Sequence, residues 1–245
     1  MSIKSEIRIS RYLAKAGLAS RRDAEKFILD GRVTLNGNTV VEPWRNCSNT
    51  DVLKLDGTVV SQSMSTALYQ LHKPKGYLST SYDAMGRKTI FDLMDSELNH
   101  LMIIGRLDYN SEGLMILTNN GELKRYLELP KNKVERVYKV KIKGHITSSN
   151  LTNIKKGLSL EGLNYRPIAA RVLESNSSHS WVEMILTEGK NREIRKILAS
   201  FNLTVVRLIR LRFGPFNLGN LQTGKSKKLK LQNYACLLYT SPSPR

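Results

Sequence analysis

Long apolar runs, cysteines and grouped histidines are scarce in this sequence of 245 residues. No stretch approaches the roughly 18 consecutive apolar residues of a membrane-spanning helix, and the start, MSIKSEIRIS, lacks the apolar run of a secretory signal. The two cysteines, Cys47 and Cys236, make neither a disulfide framework nor a zinc cluster. The four histidines, at 72, 100, 145 and 179, show no metal-ligand spacing. We therefore expect a soluble, cytoplasmic protein without a metal site.

Acidic residues are also few, because 21 Asp and Glu stand against 39 Lys and Arg, which gives a formal net charge of +18. Between Leu186 and Tyr234, eleven basic residues accompany only Glu188 and Glu193, so this stretch carries half of the net charge. These charges fall on a predicted helix and strands and not on one long amphipathic helix, which disfavours a membrane surface. A nucleic acid is the expected partner. With aromatics at 7%, a surface that binds single strands by stacking alone is disfavoured.

The last ten residues, CLLYTSPSPR at 236–245, differ in composition from the basic and apolar sequence before them. They match what one reading frame of a sequencing adapter encodes, and we expect a non-native tail without a role in the fold.

Residues 1–62 predict a small domain of two helices followed by a hairpin. The first helix ends at Gly17, and Ser20 with Asp23 three residues later predicts the capped start of the second. Asn36-Gly37 between short β-forming runs predicts a tight hairpin. Seven basic residues on this part are candidates for RNA binding: Arg8, Arg11, Lys15, Arg21, Arg22, Lys26 and Arg32.

After a polar linker at 61–66, residues 67–234 alternate strands with short helices and predict an α+β domain. In RVYKVKIKG, Tyr138, Val140 and Ile142 share one face of a strand, while lysines occupy the other face. Asn191 is the predicted N-cap of a helix whose apolar residues recur at 194, 197, 198 and 201.

The most unusual segment is MIIGRLDYNSEGLMILTNNGEL at 102–123, where an acid, Asp108, follows an apolar run. The pattern predicts a strand, a loop and a second strand, which puts Asp108 on a loop beside a core. Asp108, Asn110 and Glu112 imitate the start of a calcium-binding EF-hand loop, but its twelfth position holds Asn119 and flanking helices are absent. A glycosidase pair of Asp108 and Glu112 has no second supporting feature.

Within this segment, GRLDYNSEGLMILTNNG resembles the catalytic motif of the RsuA/RluB-type pseudouridine synthases. Four other segments resemble motifs of that family in the same order: KPKG at 73–76, RVYKV at 136–140, LTEGKNREIRKI at 186–197 and RLIRLRFG at 207–214. The start of the chain resembles an S4 RNA-binding domain. Two positions depart from the pattern, since Ser111 stands where Thr is commoner and Asn120 where Asp often sits.

The resemblance covers residues 8–231 and is closest to the enzymes that modify large-subunit (23S) ribosomal RNA. It implies an S4-like domain at 1–62, followed at 67–234 by a catalytic domain on a mostly antiparallel sheet. The implied reaction is the isomerisation of uridine to pseudouridine, which needs no metal, redox cofactor or ATP. The implied partner is ribosomal RNA or a ribosome-assembly intermediate, and a monomer is expected.

The resemblance also implies roles for particular residues. Asp108 is the implied nucleophile, although the carbon that it attacks stays open. Arg195 matches the position that pairs with this aspartate, and a bidentate guanidinium would orient the carboxylate and keep it charged. Tyr138 is implied to pack on the flipped uracil and to be available for proton transfer, and Leu208 to close the pocket on the other side. Further substrate-binding candidates are Arg106, which would fill the space that the base leaves, and Lys190, Asn191 and Arg192.

Several alternatives remain at this point. Core positions on a strand would explain Tyr138 and Leu208 as well as substrate binding does. The same chemistry on small-subunit (16S) ribosomal RNA is open, as is a noncatalytic RNA-binding or ribosome-assembly factor. A DNA-binding regulator would need a recognition helix, and neither N-terminal helix is followed by dimerisation features.

Overall fold

The computed structural model describes residues 6–48, 50–61 and 65–234, so Cys236 and the expected tail at 236–245 lie outside the described residues. The described residues fall into two compact units. Unit 1 contains those up to Ala67 together with His100–Met102 and Asn119–Gly121, and unit 2 contains Leu68–Asn99, Ile103–Thr118 and those from Glu122 onward. Among these residues we find no helix long and apolar enough to cross a membrane.

Unit 1 combines two helices with short strands. Its elements are β1 (Ile7–Arg8), α1 (Ile9–Lys15), α2 (Arg21–Leu29), β2 (Val33–Leu35), β3 (Asn38–Val40), β4 (Asn46–Cys47), β5 (Leu53–Leu55) and β6 (Thr58–Val59). The strands form a sheet in the order β3-β2-β5-β6, and β1 pairs with β4.

The local predictions for unit 1 are confirmed. The Ser20 side chain caps α2 by accepting a hydrogen bond from the backbone N–H of Asp23. Asn36 and Gly37 both have positive φ, of 50° and 88°, as a tight turn between two right-twisted strands requires. The apolar faces of both helices pack with the sheet in one core, which includes Leu13 of α1.

The rest of the chain supplies a larger sheet with helices beside it. Its elements are β7 (Leu68–Lys73), β8 (Met102–Ile104), β9 (Glu112–Thr118), α3 (Gly121–Glu128), β10 (Arg136–Lys143), α4 (Ser148–Lys156), β11 (Leu158–Leu160), β12 (Leu163–Tyr165), β13 (Ala169–Ser175), β14 (His179–Leu186), α5 (Glu193–Ala199), β15 (Thr204–Phe213), β16 (Phe216–Asn217) and β17 (Ser226–Lys228). Short 3-10 helices lie at Ile90–Leu93, Ser96–Leu98, Pro130–Asn132 and Leu231–Tyr234.

The sheet order is β13-β14-β10-β15-β9-β7-β17, with β8 beside β9 and β16 beside β15. The β15–β9 ladder is parallel, whereas β10 pairs antiparallel with both β14 and β15. The predicted mostly antiparallel sheet is therefore confirmed. A Cβ atom at Gly113 of β9 would lie 2.3 Å from the carbonyl oxygen of Arg210 on β15, so this close approach requires glycine.

The predicted alternation along β10 is also confirmed. Val140 and Ile142 are buried in a cluster that β10, β13, β14 and β15 form with α4 and α5, whereas Lys139, Lys141 and Lys143 are half-buried or exposed. A second cluster joins β7, β9 and α3 with Phe213 and Phe216.

The predicted N-cap of α5 is wrong by one residue. Arg192, in the left-handed region with φ of 52°, precedes the helix, and its side chain makes no capping hydrogen bond. The Glu193 carboxylate accepts a hydrogen bond from the backbone N–H of Lys190 at 3.0 Å, which closes the turn and delays entry into the helix. Asn191 is consequently an exposed loop residue, and Phe201 lies beyond the helix end.

Candidate active site

The turn at 105–111 connects β8 to β9 and carries Asp108, as the strand–loop–strand prediction required. At its start, the backbone N–H of Gly105 donates to Oε1 of Glu128 on α3 at 2.8 Å. In its middle, the buried Leu107 exchanges two hydrogen bonds with the Ser79 hydroxyl, which donates to its carbonyl at 2.7 Å and accepts from its N–H at 3.2 Å. Asp108 is therefore presented by a turn that is fixed on both sides.

Lys73, at the end of β7, holds the turn by hydrogen bonds to its backbone carbonyl oxygens. Its side chain is fully buried, and Nζ donates to the carbonyl oxygens of Ser111 at 2.8 Å, Pro74 at 3.0 Å and Asp108 at 3.1 Å. Burial lowers the pKa of Lys73 to about 8, against the opposing charges of Asp108 and Glu112. Sequence analysis included this lysine only in the KPKG resemblance and assigned it no role, because nothing local indicates a buried ammonium group.

Cations surround the Asp108 carboxylate, whose side chain is 35% exposed. Nη1 of Arg192 lies 4.0 Å from Oδ2. Arg195 does not form the expected bidentate pair; its guanidinium donates to the carbonyls of Asn110 at 3.0 Å and Val205 at 3.3 Å. Burial, together with the charge of Arg192, lowers the pKa of Arg195, and Asp108 acts in the opposite direction. Arg195 is thus a support for the turn that also contributes charge near Asp108.

Tyr138 and Leu208 belong to the same apolar cluster of unit 2. Tyr138 is half-buried on β10, opposite Met184 of β14 and Arg210 of β15. Leu208 is buried on β15 opposite Val140, as a core residue would be. The structure thus places both side chains on one face of the sheet, with Tyr138 the more accessible of the two.

An ion pair that the sequence did not reveal fixes the end of the turn where β9 begins. Nε of Arg207 lies 3.0 Å from Oε1 of the buried Glu112, Nη2 lies 2.8 Å from Oε2, and Lys75 approaches Oε1 at 3.5 Å. Burial raises the pKa of Glu112, but the hydrogen bonds and charge of Arg207 outweigh it, so the net shift is downward. An acid opening an otherwise apolar strand was the one signal available for this pair.

The loop before α5 rests on two buried carboxylates. Glu188 accepts hydrogen bonds from the backbone N–H of Arg166 at 2.9 Å and from Nζ of Lys190 at 2.8 Å. Burial raises the pKa of Glu193 to about 7, and the negative charge of Glu188 acts in the same direction. Lys190, predicted to bind substrate, is therefore paired with Glu188, and its side chain is 34% exposed. Arg106, Asn191 and Arg192 have exposed side chains.

The seven basic candidates of unit 1 are all exposed. Lys26 lies 3.8 Å from Asp23, and Arg32 forms a bidentate ion pair with Asp56, at 2.9 and 2.6 Å, and lies 4.2 Å from the centre of the Phe27 ring. Its guanidinium therefore already contacts two side chains of unit 1.

Comparisons with known proteins match both units. A family model described as RNA pseudouridylate synthase matches residues 67–200, and a model described as S4 domain matches residues 7–43. A Rickettsia felis protein named as an uncharacterized RNA pseudouridine synthase is 40% identical over 222 residues, which cover 91% of this chain and 96% of that protein. The ribosomal large subunit pseudouridine synthase B of Bacillus subtilis is 32% identical over 224 residues, which cover 91% of each chain.

A solved structure is similar in fold. A crystal structure of a pseudouridylate synthase superposes with a TM-score of 0.66 at 23% identity, covering 94% of this chain and 99% of that chain.

Proposed function

This chain belongs to the RNA pseudouridine synthase family, and we propose that it isomerises one uridine of 23S ribosomal RNA with Asp108 as the nucleophile. The chain is an RNA-modifying isomerase with an S4 RNA-binding domain. The Bacillus subtilis relative is named for the large ribosomal subunit, which supports 23S as the target. In the reaction the bond from uracil N1 to the ribose C1′ breaks, C5 joins C1′, and the proton lost at C5 is balanced by one gained at N1.

One observation carries the proposed role of Asp108. Lys73 holds the turn that carries Asp108, and the Asp108 carboxylate lies 4.0 Å from the Arg192 guanidinium. The charge of Arg195 also acts on this carboxylate. A nucleophilic carboxylate has to be ionised and held in one position. The three cations stabilise the negative charge, and the hydrogen bonds of the turn limit its movement.

We assign the other residues by their placement. Tyr138, the more accessible member of its cluster, packs on the flipped uracil, and Leu208 closes the pocket on the other side. The exposed Arg106, two residues before Asp108, fills the space that the base leaves in the RNA. Arg192, Asn191 and the exposed basic residues of the S4 domain contact phosphates, which position the RNA without reading its sequence.

The experiment is pseudouridine mapping on ribosomal RNA from a host that lacks its own enzymes of this type. The host expresses the wild-type chain, Asp108→Asn, or the control Asp95→Asn, which makes the same change at an exposed aspartate. We expect one new pseudouridine in 23S ribosomal RNA with the wild-type chain and the control, and none with Asp108→Asn. RNA affinity of Asp108→Asn should stay close to wild type.

The mapping also decides between the alternatives. A new site in 16S ribosomal RNA would move the target to the small subunit. No new site, with RNA binding retained, would favour a noncatalytic ribosome-assembly factor. Tighter binding to duplex DNA than to ribosomal RNA at matched salt would revive a DNA-binding regulator. Because the proposed substrate is ribosomal RNA, we place the enzyme in the cytoplasm. We also propose that it acts as a monomer.

A further inference from the structure

A loop at 79–88 projects from unit 2 beside the turn that carries Asp108. Its base is closed by the pairing of Leu78 with Thr89, where Leu78 N–H donates to the Lys88 carbonyl at 2.8 Å. The Ser79 hydroxyl at the start of the loop is bonded to both backbone groups of Leu107, the residue before Asp108. The loop and the 105–111 turn are therefore joined directly.

The loop is stiffened from inside by Asp83. This carboxylate accepts hydrogen bonds from the backbone N–H groups of Met85 at 3.2 Å and Arg87 at 3.0 Å. The Arg87 guanidinium binds both carboxylate oxygens, at 3.0 and 2.7 Å. Thr80 adds a hydrogen bond from its hydroxyl to the Tyr82 carbonyl at 3.0 Å. These bonds hold the loop in one conformation and neutralise the charge of Asp83.

This ordered loop holds large apolar side chains out in solvent. Tyr82 is 77% exposed and Met85 is 76% exposed. The third most exposed large apolar residue described in unit 2 is Tyr109 at 46%, which follows Asp108 directly. The Tyr109 hydroxyl lies 3.8 Å from where a Cβ of Gly76 would stand, and its backbone carbonyl accepts from Gly76 N–H at 2.9 Å. The two most exposed large apolar side chains described in unit 2 therefore lie on the loop that is hydrogen-bonded to the turn of the proposed nucleophile.

The charges around this patch indicate its partner. Lys88 in the loop and Arg106 in the turn are exposed, and the one acid of the loop, Asp83, is paired with Arg87. A protein or lipid partner would bind a broad apolar surface. Here only a few apolar side chains are exposed, and cations accompany them. Nucleic-acid bases stack on such side chains while cations contact the adjacent phosphates.

We propose that Tyr82 and Met85 form a stacking platform for an unpaired base that neighbours the target uridine in the RNA substrate. Because its internal hydrogen bonds preorganise the loop, binding the base has a smaller ordering cost, and stacking keeps the flanking RNA open while the uridine is flipped toward Asp108. The inference rests on the proposed function, since it takes the RNA that the enzyme modifies as the occupant.

The test uses an RNA fragment around the mapped uridine, with 2-aminopurine placed on either side of the target. All proteins carry Asp108→Asn, so that binding is measured without turnover. Tyr82→Ala with Met85→Ala is compared with the intact loop, and Leu163→Ala with Val172→Ala is the matched control, because these two residues are also exposed apolar groups of unit 2. Tyr82→Phe keeps the ring and removes only the hydroxyl. Circular dichroism confirms that each variant folds.

We expect the loop variant to raise the Kd by about 5- to 150-fold, the range for losing one stacked base. It should also change 2-aminopurine fluorescence in the complex on one side of the target. Tyr82→Phe and the control pair should bind like the parent. Equal Kd values for the loop variant and the control overturn the inference, as does a weaker Kd with unchanged 2-aminopurine fluorescence. A wild-type chain that produces no pseudouridine overturns the proposed function instead, which is a separate measurement.

Discussion

The ammonium nitrogen of Lys73 lies 2.8 Å from the carbonyl oxygen of Ser111 and 3.1 Å from that of Asp108, so one buried side chain closes the turn that presents the proposed nucleophile. When the carbonyls of a backbone turn converge on a single cation, removing that cation takes away a donor that they share. Lys73 is therefore a positioning residue, which acts on the reaction through Asp108.

Replacing Lys73 by Met should leave the buried carbonyl oxygen of Ser111 and the partly buried ones of Pro74 and Asp108 without this donor. We expect the free energy of unfolding to fall by roughly 1–3 kcal/mol and the single-turnover rate of pseudouridine formation to fall far more than RNA affinity. Urea unfolding of unit 2 can be followed by Trp181 in a Trp44→Phe background, since the chain has two tryptophans. Lys143→Met, at an exposed lysine, is the control; equal effects of the two changes would contradict the prediction.

The rate should fall as pH rises through about 8, the value to which burial lowers the Lys73 pKa from 10.5. Below that pH the ammonium group is charged and fully donates to the turn; above it the neutral amine holds the turn and Asp108 less well. Stability responds with the opposite sign. Between about 8 and 10.5 the unfolded chain binds the proton that the folded protein has lost, so this group makes stability rise with pH.

This pH prediction is checked by single-turnover rates and urea midpoints in the same buffers across that range. A rate that stays constant or rises through the Lys73 pKa would show that the charged form of Lys73 is not required.

Gly113→Ala should prevent the parallel approach of β9 and β15. The added Cβ would lie 2.3 Å from the carbonyl oxygen and 2.5 Å from the nitrogen of Arg210, and φ is +107°. We expect a loss of roughly 3 kcal/mol or more in unfolding free energy, because backbone strain and overpacking combine. Gly57→Ala, where φ is +80° but nothing lies within 4 Å, should cost about 1–2 kcal/mol. Similar losses at both glycines, measured by urea unfolding, would refute the steric argument.

Replacing Arg192 and replacing Arg195 should have different effects on the reaction rate and on stability. Arg192 is exposed and 4.0 Å from Asp108, so Arg192→Met should slow pseudouridine formation while stability changes by no more than about 0.5 kcal/mol. Arg195 donates to the carbonyls of Asn110 and Val205, so Arg195→Met should reduce both the rate and, by about 1 kcal/mol, the stability. Paired rate and urea measurements test this; a stable but inactive Arg195→Met would favour the direct pairing with Asp108 that the sequence motif implied.

Local chemistry explains which features of this protein could be predicted from its amino-acid sequence. The cap at Ser20, the turn at Asn36-Gly37 and the alternation of Val140 and Ile142 with lysines each depend on residues within a few positions of one another. Motif order was equally available, and it identified the family and placed Asp108 on a loop between two strands. These features are set by backbone sterics and periodicity, which act before any distant contact forms.

The contacts that hold the site in place depend on the tertiary structure. Glu112 and Arg207 meet across 95 residues of chain, and Lys73 reaches carbonyls 35 and 38 residues away. Arg192 lies 4.0 Å from Asp108, whereas Arg195 of α5 donates to the backbone carbonyls of Asn110 and Val205, and both sets of contacts join residues far apart in the sequence. Such partners are chosen by packing and by the need to satisfy buried polar groups, and neither leaves a periodic trace in the sequence.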